Sequence, residues 1–425
     1  MHGAIGTPRC IGHHRTRLGS SLVIQSVLFL YRPKTLSDKL DVSSIQGTLY
    51  LKATSEFGPT QTKVRLNESG NIVILELIAV KNSGNPLDEV LISHNYFNLF
   101  NGLETIFLQT SSPKTYDKVK LIDFINLYQF DKEIRSILSN CLDSVEEKLK
   151  ASIAYNFCKH HCVSLTDTMQ YTNKSNFMNP ANKESGTPTY CHYSEAYPFV
   201  NYQNQKIYQD FDKFCLFKPF FLSNLVDRND HIDISFYLDN DYVAPSGVAV
   251  YRNSDGTYNR NIAVPFWVAI ETLTFGEILR LLHYLQDDVL KDVLNDFNLP
   301  LSKRAPFLNM IDILLCLRNN CAHTTLLNRF RTEKRYRINA LLIASFSLTP
   351  KNADSVLKLF DSIKILSFFT DVSALKKPLR TLKFKIYVSM GIKKGKTVYN
   401  KILARMGCGD YKKWNIDLFE TKYFL

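Results

Sequence analysis

One short polar stretch holds the pair of side chains best suited to chemistry. An RNNCAH segment at residues 318–323 follows a largely apolar run at 311–317, so Arg318 and His323 stand five residues apart at the end of a predicted buried helix. Arginine binds phosphate with a planar fork of donors and keeps its charge at any working pH. Histidine exchanges a proton near neutrality. Together they could cleave RNA without a metal ion, because the 2′-hydroxyl of RNA can act as the nucleophile.

The same two residues also have a purely structural interpretation. A cation in the last turn of a helix faces the negative end of the macrodipole, which would account for Arg318. His323 would then be an ordinary, partly buried histidine whose ring is satisfied by its neighbours. The residue types and their spacing support the catalytic and the structural interpretation about equally.

Four blocks along the chain resemble, in order and distance, the Abi-like abortive-infection proteins, which belong to the wider HEPN group of ribonucleases. The RNNCAH segment, followed by Asn328 and Arg329, is similar to the family signature RNxCAH…NR. The remaining blocks are LYQFD at 127–131 continued by Arg135, PFWVAIE at 265–271 followed by FG at 275–276, and MG at 406–407 followed by Trp414. The resemblance covers approximately residues 85 to 420.

Two positions depart from the family pattern. Thr324 stands where a second histidine is common, and Lys150 stands where an arginine is usual. Lysine keeps the charge of arginine but loses its planar fork. Neither departure removes Arg318 or His323, so the chemistry that the resemblance implies is retained.

The resemblance implies a homodimeric endoribonuclease that needs neither metal nor other cofactor. His323 would act as general base or acid, Arg318 would bind the scissile phosphate, and Asn319 would bind the phosphate or orient the histidine. Glu146 and Lys150 would support this site, although a solvated ion pair on one helix face is the simpler interpretation of these two residues. The motif helices of two protomers would face each other, giving two arginines and two histidines to one cleft.

The implied role is defence against phage, in which infection releases an activity that cuts RNA and stops growth of the infected cell. Such an activity would harm its host, so we expect a regulatory RNA or an antitoxin protein as a partner. Two alternatives remain open at this point. The chain could be a non-catalytic RNA-binding module, or a protein that serves assembly within the same defence system.

The charge of the chain favours a polyanionic partner. The net charge is +12 and the pI is near 9.1, which promotes attraction to phosphate backbones and release of counterions. Residues 376–413 contain twelve lysines and arginines but one acid, Asp410, with aromatic residues between them. From this segment we predict the RNA-binding residues Lys383, Lys385, Lys393, Lys394, Lys396, Lys401 and Arg405.

Other sequence features predict a reduced, soluble environment without metal. The chain has no run of eighteen apolar residues, so no membrane-spanning helix and no membrane partner are expected. Nine scattered cysteines favour free thiols in a cytoplasm over a disulfide framework. The cluster CKHHC at 158–162 has no second cluster at finger-like spacing, and a zinc site completed by Cys191 and His192 is not predicted.

The periodicity predicts a mainly α protein, a HEPN-like helical bundle with small β-containing additions. Residues 1–90 would be an accessory region with short strands, 91–370 the helical domain, and 371–425 a basic C-terminal segment. Long amphipathic helices are predicted at 121–157 and after Pro306, another from Pro265 to Leu282, and one or two over 337–370. A polar insert at about 164–260 would hold a hairpin whose strands, 247–251 and 262–264, flank a turn at 253–256.

Overall fold

The computed structural model of the chain describes residues 48–55, 58–66, 72–75, 97–111, 114–179, 211–228, 232–323, 325–332, 338–349 and 356–425. The described residues divide into two compact units. One comprises those of Met1–Phe130 with Arg380–Tyr399, and the other comprises Asp131–Leu379 with Asn400–Leu425. The architecture is mainly α with small antiparallel β additions, as predicted. The predicted domain boundaries near residues 90 and 370 stay predictions.

The first unit contains the larger of the β additions. Strands β1 (Thr48–Ser55), β2 (Gly58–Leu66) and β3 (Ile72–Leu75) form an antiparallel sheet in the order β1-β2-β3. This confirms the short strands that are predicted within residues 1–90. Then follow a π-helix (Phe97–Asn101), helix α1 (Glu104–Phe107) and a two-residue hairpin, β4 (Thr110–Ser111) with β5 (Lys114–Thr115).

The longest element is helix α2, Leu121–His161, with 41 residues. The three- and four-residue spacing of its apolar residues predicts the helix, and it extends four residues beyond the predicted end at Phe157. Phe124 packs in the first unit against the rings of Phe100 and Phe107, with centroids 5.2 and 4.7 Å away. From Asp131 onward α2 belongs to the second unit, where its buried face supports the helices described next.

The second unit is built mainly from helices. In chain order its α-helices are α3 (Phe221–Arg228), α4 (Phe266–Ala269), α5 (Phe275–Tyr284), α6 (Asp287–Asn295), α7 (Arg304–Ala322), α8 (Ala340–Ser345), α9 (Leu359–Leu366), α10 (Lys376–Met390), α11 (Ile392–Met406) and α12 (Tyr411–Phe419). Helices α10 and α11 also contribute to the first unit. Short 3-10 helices lie at Leu165–Asp167, Gln170–Thr172, Lys174–Asn176, Cys215–Phe217, Ile234–Tyr237, Ile270–Thr272, Leu301–Lys303, Leu327–Arg329 and Ser373–Leu375.

Helix α7 forms the centre of the second unit. Every residue from Phe307 to Leu314 is buried, so the helix is enclosed on all sides by α5, α8 and α9. Its start at Arg304 lies three residues before the predicted start, because Pro306 fits in the first turn, where no intrahelical N–H bond is needed. Because α7 is enclosed in this way, the position and direction of its last turn are fixed.

Asp312 is a carboxyl group inside this apolar helix. It is 2% exposed and neither carboxyl oxygen has a hydrogen-bond partner among the described residues. Burial raises the pKa of Asp312 well above its ordinary value. The folded chain therefore holds a proton that the unfolded chain releases above about pH 4, and stability falls as pH rises from there.

We predict that Asp312→Asn becomes more stable than the native chain as pH rises. The difference in the free energy of unfolding should grow as pH rises above about 4, by at most about 1.4 kcal/mol per pH unit. Urea unfolding at several pH values measures it. Asp143→Asn, at an exposed carboxyl on α2, should show no such growth. A difference for Asp312→Asn that is the same at all pH values would contradict this.

The prediction of one continuous helix from Pro265 to Leu282 is wrong in one respect, because the structure has a break within this segment. Helix α4 continues into the 3-10 helix Ile270–Thr272, where the helical segment ends. A separate helix, α5, begins after Thr274. The Thr274 hydroxyl accepts from the Glu277 N–H at 3.3 Å, and a Glu277 carboxylate oxygen accepts from the Thr274 N–H at 2.9 Å. This capping box provides the start signal for a new helix and explains the break.

The mid-chain hairpin exists, but the predicted strand positions are wrong. The paired strands are β6 (Tyr251–Arg252) and β7 (Tyr258–Asn259), which directly flank the predicted turn. Ile262, predicted to lie in the second strand, forms an isolated antiparallel bridge with Leu238 instead. A tight turn sets the pairing closest to it, and the apolar residues farther out are free to pack elsewhere.

The MG…W block proves to be a packing unit near the C-terminus. Met406 and Trp414 are each 1% exposed, and the Trp414 ring lies 4.8 Å from that of Phe360. Gly407 has φ +132°, and an added Cβ would lie 2.8 Å from the Cβ of Phe360. A side chain is therefore excluded at this glycine both by the backbone conformation and by space.

None of the helices in the described part of the chain combines the length and the apolar character needed to cross a membrane.

Candidate active site

The motif helix ends where the sequence places its chemistry. Arg318 lies in the last turn of α7 and is partly exposed, and His323 is the C-cap residue, with its N–H donating to the Asn319 carbonyl at 3.0 Å. The side chains of Asn319 and His323 are exposed. His323 is thus not the partly buried histidine of the structural interpretation. Thr324 lies outside the described residues.

The Arg318 guanidinium is uncommitted within the described part of the chain. No described carboxylate lies within ion-pair distance of it, and it makes no hydrogen bond to a described residue. Most arginines near a carboxylate lose part of their capacity for phosphate to that pairing. Arg318 keeps its full fork of donors for a ligand.

The chain after His323 is held to the end of α7 by short polar contacts. The Thr325 hydroxyl donates to the Asn320 carbonyl at 3.0 Å, and the Asn320 side-chain amide donates to the Cys316 carbonyl at 2.9 Å. The Arg135 guanidinium, on α2, donates to the Thr325 carbonyl at 2.6 Å. These contacts fix the backbone on both sides of His323. The backbone that carries the histidine is therefore held in place.

A buried carboxylate holds the next part of this loop. Asp131 is 0% exposed and accepts from the Leu327 N–H at 3.0 Å, from the Asn328 N–H at 2.8 Å and from the Asn328 side-chain amide at 2.8 Å. Arg135 adds an ion pair at 3.2 Å. Burial raises the pKa of Asp131, and the hydrogen bonds from Asn328 and Leu327 oppose that rise. We call Asp131, Arg135 and Asn328 the loop clamp.

The loop clamp joins two of the sequence blocks, LYQFD with Arg135 and the NR that follows RNNCAH. Sequence reasoning did not assign Asp131, Arg135 or Asn320 to the site. The signal was present, because Asp131 is a charged residue at an apolar position of the helical pattern and buried carboxylates require partners. The partner, however, lies 197 residues away in the chain.

We predict that Asp131→Ala lowers the free energy of unfolding by about 3 kcal/mol, because two backbone N–H groups and the Arg135 guanidinium lose a buried acceptor. Chemical denaturation measures the loss. Asp143→Ala, at an exposed acid on the same helix, should change stability by less than about 0.5 kcal/mol. Equal effects of the two variants would mean that the clamp is not a significant support of the loop.

Glu146 and Lys150 form an ion pair that is largely enclosed. The Lys150 ammonium lies 3.2 Å from a Glu146 carboxylate oxygen, and the two side chains are 9% and 15% exposed. It also donates to the Glu271 carbonyl at 3.2 Å, which ties α2 to the PFWVAIE block. The pair is therefore not the solvated one of the simpler interpretation. No ion pair links Glu146 to Arg318 in the described structure, and the supporting role of Glu146 and Lys150 stays a prediction.

The PFWVAIE block divides into a buried and an exposed part. Phe266 is 0% exposed and stacks on the Tyr171 ring at 4.7 Å, while Trp267 is 62% exposed. Tyr171 belongs to the predicted polar insert, so this part of the insert packs on the core. Together with the Lys150 contact, these packings show that the block positions α2 and the insert.

The predicted RNA-binding lysines and Arg405 lie on α10 and α11, and they differ in how far their side chains are exposed to solvent. Lys393, Lys396 and Lys401 are exposed, and Lys383, Lys385 and Arg405 are partly exposed. Lys394 is paired with Asp117 at 2.7 Å, so part of its charge is used within the protein. RNA binding by the whole set stays a prediction.

The aromatic residues between these lysines do not all reach solvent. Tyr399 and Trp414 are each 1% exposed, so neither ring is available to stack on a base. Phe384, in contrast, is 69% exposed. The even interleaving of basic and aromatic residues in the sequence therefore overstated the stacking capacity of this surface.

The CKHHC cluster makes polar contacts with Asp292 at the C-terminal end of α2. A ring nitrogen of His160 lies 2.9 Å from an Asp292 carboxylate oxygen, and Lys159 lies 2.8 Å from the same carboxylate. Among the described residues no group of three or more histidines, cysteines and acids is placed to hold a metal ion. Cys191 and His192 lie outside the described residues.

Comparison with known families agrees with the blocks just described. A family model described as "Abi-like protein" matches residues 89–328, more than half of the chain. The chain belongs to the Abi-like protein family. The Abi-like match contains the loop clamp, Glu146, Lys150 and both residues of the Arg318–His323 pair, and it ends at Asn328. The MG…W block lies beyond it, so that part of the resemblance stays a prediction.

A second model, for a protein family of unknown function, matches residues 22–99 and overlaps the start of the Abi-like match at residues 89–99. Neither the comparison with curated proteins nor the comparison with solved structures gave a match. Membership of the Abi-like family suggests a role in abortive infection.

Proposed function

We propose that this Abi-like protein is a metal-independent endoribonuclease of the HEPN type that acts in defence against phage. His323 would transfer protons, and Arg318 would bind the scissile phosphate and the charge that develops on it. Asn319 would add a hydrogen bond to the same phosphate. The products would carry 2′,3′-cyclic phosphate and 5′-hydroxyl ends, because the 2′-oxygen attacks the phosphorus as the bond to the 5′-oxygen breaks.

The observation that carries this proposal is a braced helix end with an exposed His323 imidazole and an Arg318 guanidinium that is uncommitted among the described residues. Catalytic groups must be held by residues whose own positions are fixed. The loop clamp and the Asn320–Thr325 contacts provide this bracing on the side of His323, and the enclosed helix α7 provides it for Arg318.

A single chain would make an incomplete site. Five residues of helix correspond to about 140° of rotation and about 7.5 Å of rise, so the two side chains point in different directions. Cleavage also requires one group that accepts the 2′-hydroxyl proton and another that protonates the leaving 5′-oxygen. We propose that a two-fold dimer supplies both, with one His323 from each protomer and the two Arg318 side chains at the phosphate.

The proposal is tested by incubating the purified protein with end-labelled RNA in excess EDTA and analysing the ends of the products. Cleavage with cyclic phosphate ends is expected, and the same RNA with 2′-deoxyribose at the cut position should remain intact there. Cleavage that requires a divalent ion, or that leaves 5′-phosphate ends, would overturn the proposed chemistry. Binding without cleavage would favour a non-catalytic RNA-binding protein, and neither binding nor cleavage would favour an assembly role.

Because an activator could be needed, induced expression in growing cells complements the assay. The native chain should arrest growth, whereas the His323→Ala variant should not. Equal toxicity of both proteins would contradict the catalytic assignment even if the purified protein were silent. A regulatory RNA or protein that restrains this activity is part of the same proposal.

A further inference from the structure

A group of cations from three separate segments meets just beyond the loop clamp. Arg331 and Lys358 face each other in an isolated antiparallel bridge, and the Lys358 ammonium donates to the Ala404 carbonyl of α11 at 3.3 Å. Arg405 adjoins Ala404, with Lys401 one turn earlier on the same helix, and Arg329 directly follows Asn328 of the clamp. We call the set Arg329, Arg331, Lys358, Lys401 and Arg405 the Arg405 cluster.

The members of the Arg405 cluster repel one another. Burial, together with the neighbouring charges of Arg329 and Arg331, lowers the pKa of Arg405 to about 10. Burial and Arg331 lower the pKa of Lys358, and burial and Arg405 lower that of Lys401. Each of these directions means that the environment disfavours the positive charge. Asp131 opposes this effect at Arg405 and Asp361 opposes it at Lys358, so the positive charges are partly offset, and a bound anion would offset them further.

The nearby carboxylates are engaged elsewhere. Asp131 is occupied by the clamp, and an Asp361 carboxylate oxygen accepts from both the N–H and the hydroxyl of Thr349, at 2.9 and 3.0 Å. Burial raises the pKa of both acids, which weakens them as counter-charges. Among the described residues no carboxylate lies within ion-pair distance of Arg329, Arg331 or Lys401, and all three are exposed.

We propose that the Arg405 cluster binds the phosphates of a single-stranded RNA that runs from the His323 site across the clamped loop. Arginine forks and lysines in a row are the means by which proteins follow a phosphate backbone. This inference rests on the proposed function, and it adds a specific surface to it. It also brings Arg329, Arg331 and Lys358, which lie outside the basic C-terminal segment, into one surface with Lys401 and Arg405.

The location of the cluster sets the length of RNA that it engages. Arg329 is the sixth residue after His323, and six residues span at most about 20 Å. About six stacked nucleotides cover that distance, at about 3.4 Å each. The cluster would therefore hold the strand a few nucleotides from the cleaved linkage and contribute to binding rather than to the chemical step.

The test measures binding of a fluorescent oligouridine in the His323→Ala background, so that binding is read without cleavage. Arg331→Gln combined with Lys401→Gln should weaken binding about 25-fold at about 0.1 M salt, and should lower the slope of log affinity against log salt by about 1.4. Lys412→Gln with Lys413→Gln, which removes the same charge from exposed positions elsewhere, should leave both unchanged. Arg331→Lys with Lys401→Arg should retain the native slope.

The outcomes separate this inference from the proposed function. Equal binding by the cluster variant and the Lys412–Lys413 control overturns the cluster as an RNA surface, whether or not the native chain cleaves RNA. Loss of binding in the cluster variant alone supports it, even if the native chain fails to cleave and the proposed function falls. Thermal unfolding of each variant checks that the fold is intact, and a charge-retaining variant that loses the slope as well would contradict phosphate binding.

Discussion

Replacing His323 with alanine should lower the rate of RNA cleavage about a thousandfold while leaving RNA binding unchanged. A positioned general acid or base typically contributes between about a hundredfold and ten thousandfold, and the proposed dimer would lose both of its proton-transfer groups at once. The fold should not change, because the His323 side chain is exposed and makes no hydrogen bond to a described residue. Single-turnover cleavage of labelled RNA measures the effect.

His160 supplies the control for this variant. It also lies in the last turn of a long helix, but its ring is paired with Asp292. His160→Ala should therefore cleave at the native rate. If His323→Ala kept more than about a tenth of the native rate, general acid–base catalysis by this residue would be excluded as the main source of the activity.

The second large effect is expected at Arg318. Arg318→Ala should lower the cleavage rate between about a hundredfold and a thousandfold, because the developing phosphate charge loses a preorganised donor pair. Arg318→Lys should recover part of the loss, since lysine keeps the charge but not the fork. The comparison of the two variants in the same single-turnover assay therefore divides the effect between charge and geometry.

Arg380 on α10 is the matched position, an exposed arginine outside the second unit. Arg380→Ala should cleave at the native rate. Native cleavage by Arg318→Ala would show that the guanidinium at the end of α7 has no part in the chemistry. An equal loss in Arg318→Ala and Arg380→Ala, with no loss in Arg318→Lys, would instead indicate a general effect of net charge.

The helices were the most predictable part of this fold, for a physical reason. In α2 and α7 the apolar residues recur at helical spacing over many turns, so the sequence and the packing specify the same element. The break before α5 was missed because Thr274 and Glu277 act through a local capping box, and the apolar pattern continues across it unchanged. The hairpin strands were predicted in the wrong positions because the strand-like alternation of apolar and polar residues extends beyond the two residues that pair on each side.

The site was predictable to the extent that it is local in the chain. Arg318 and His323 lie in one short motif, and the structure leaves both side chains accessible at the end of a helix. The clamp by Asp131 and the Arg405 cluster were not predictable from spacing, because each joins segments that only the fold brings together. What the sequence did offer was four blocks in a fixed order, and two of them meet directly in the contact between Asp131 and Asn328.

The central claim is that two protomers complete one site, and mixing of protomers tests it most directly. Native chain is exchanged with a threefold excess of the Arg318→Ala/His323→Ala double variant, with dimer formation checked by native mass spectrometry, and cleavage is measured at constant total protein. Random pairing leaves about one sixteenth of the dimers fully native, and we predict that the activity falls to about that fraction. Activity that falls only to about one quarter, the fraction of native chains, would show that each protomer cleaves alone and would contradict the shared site.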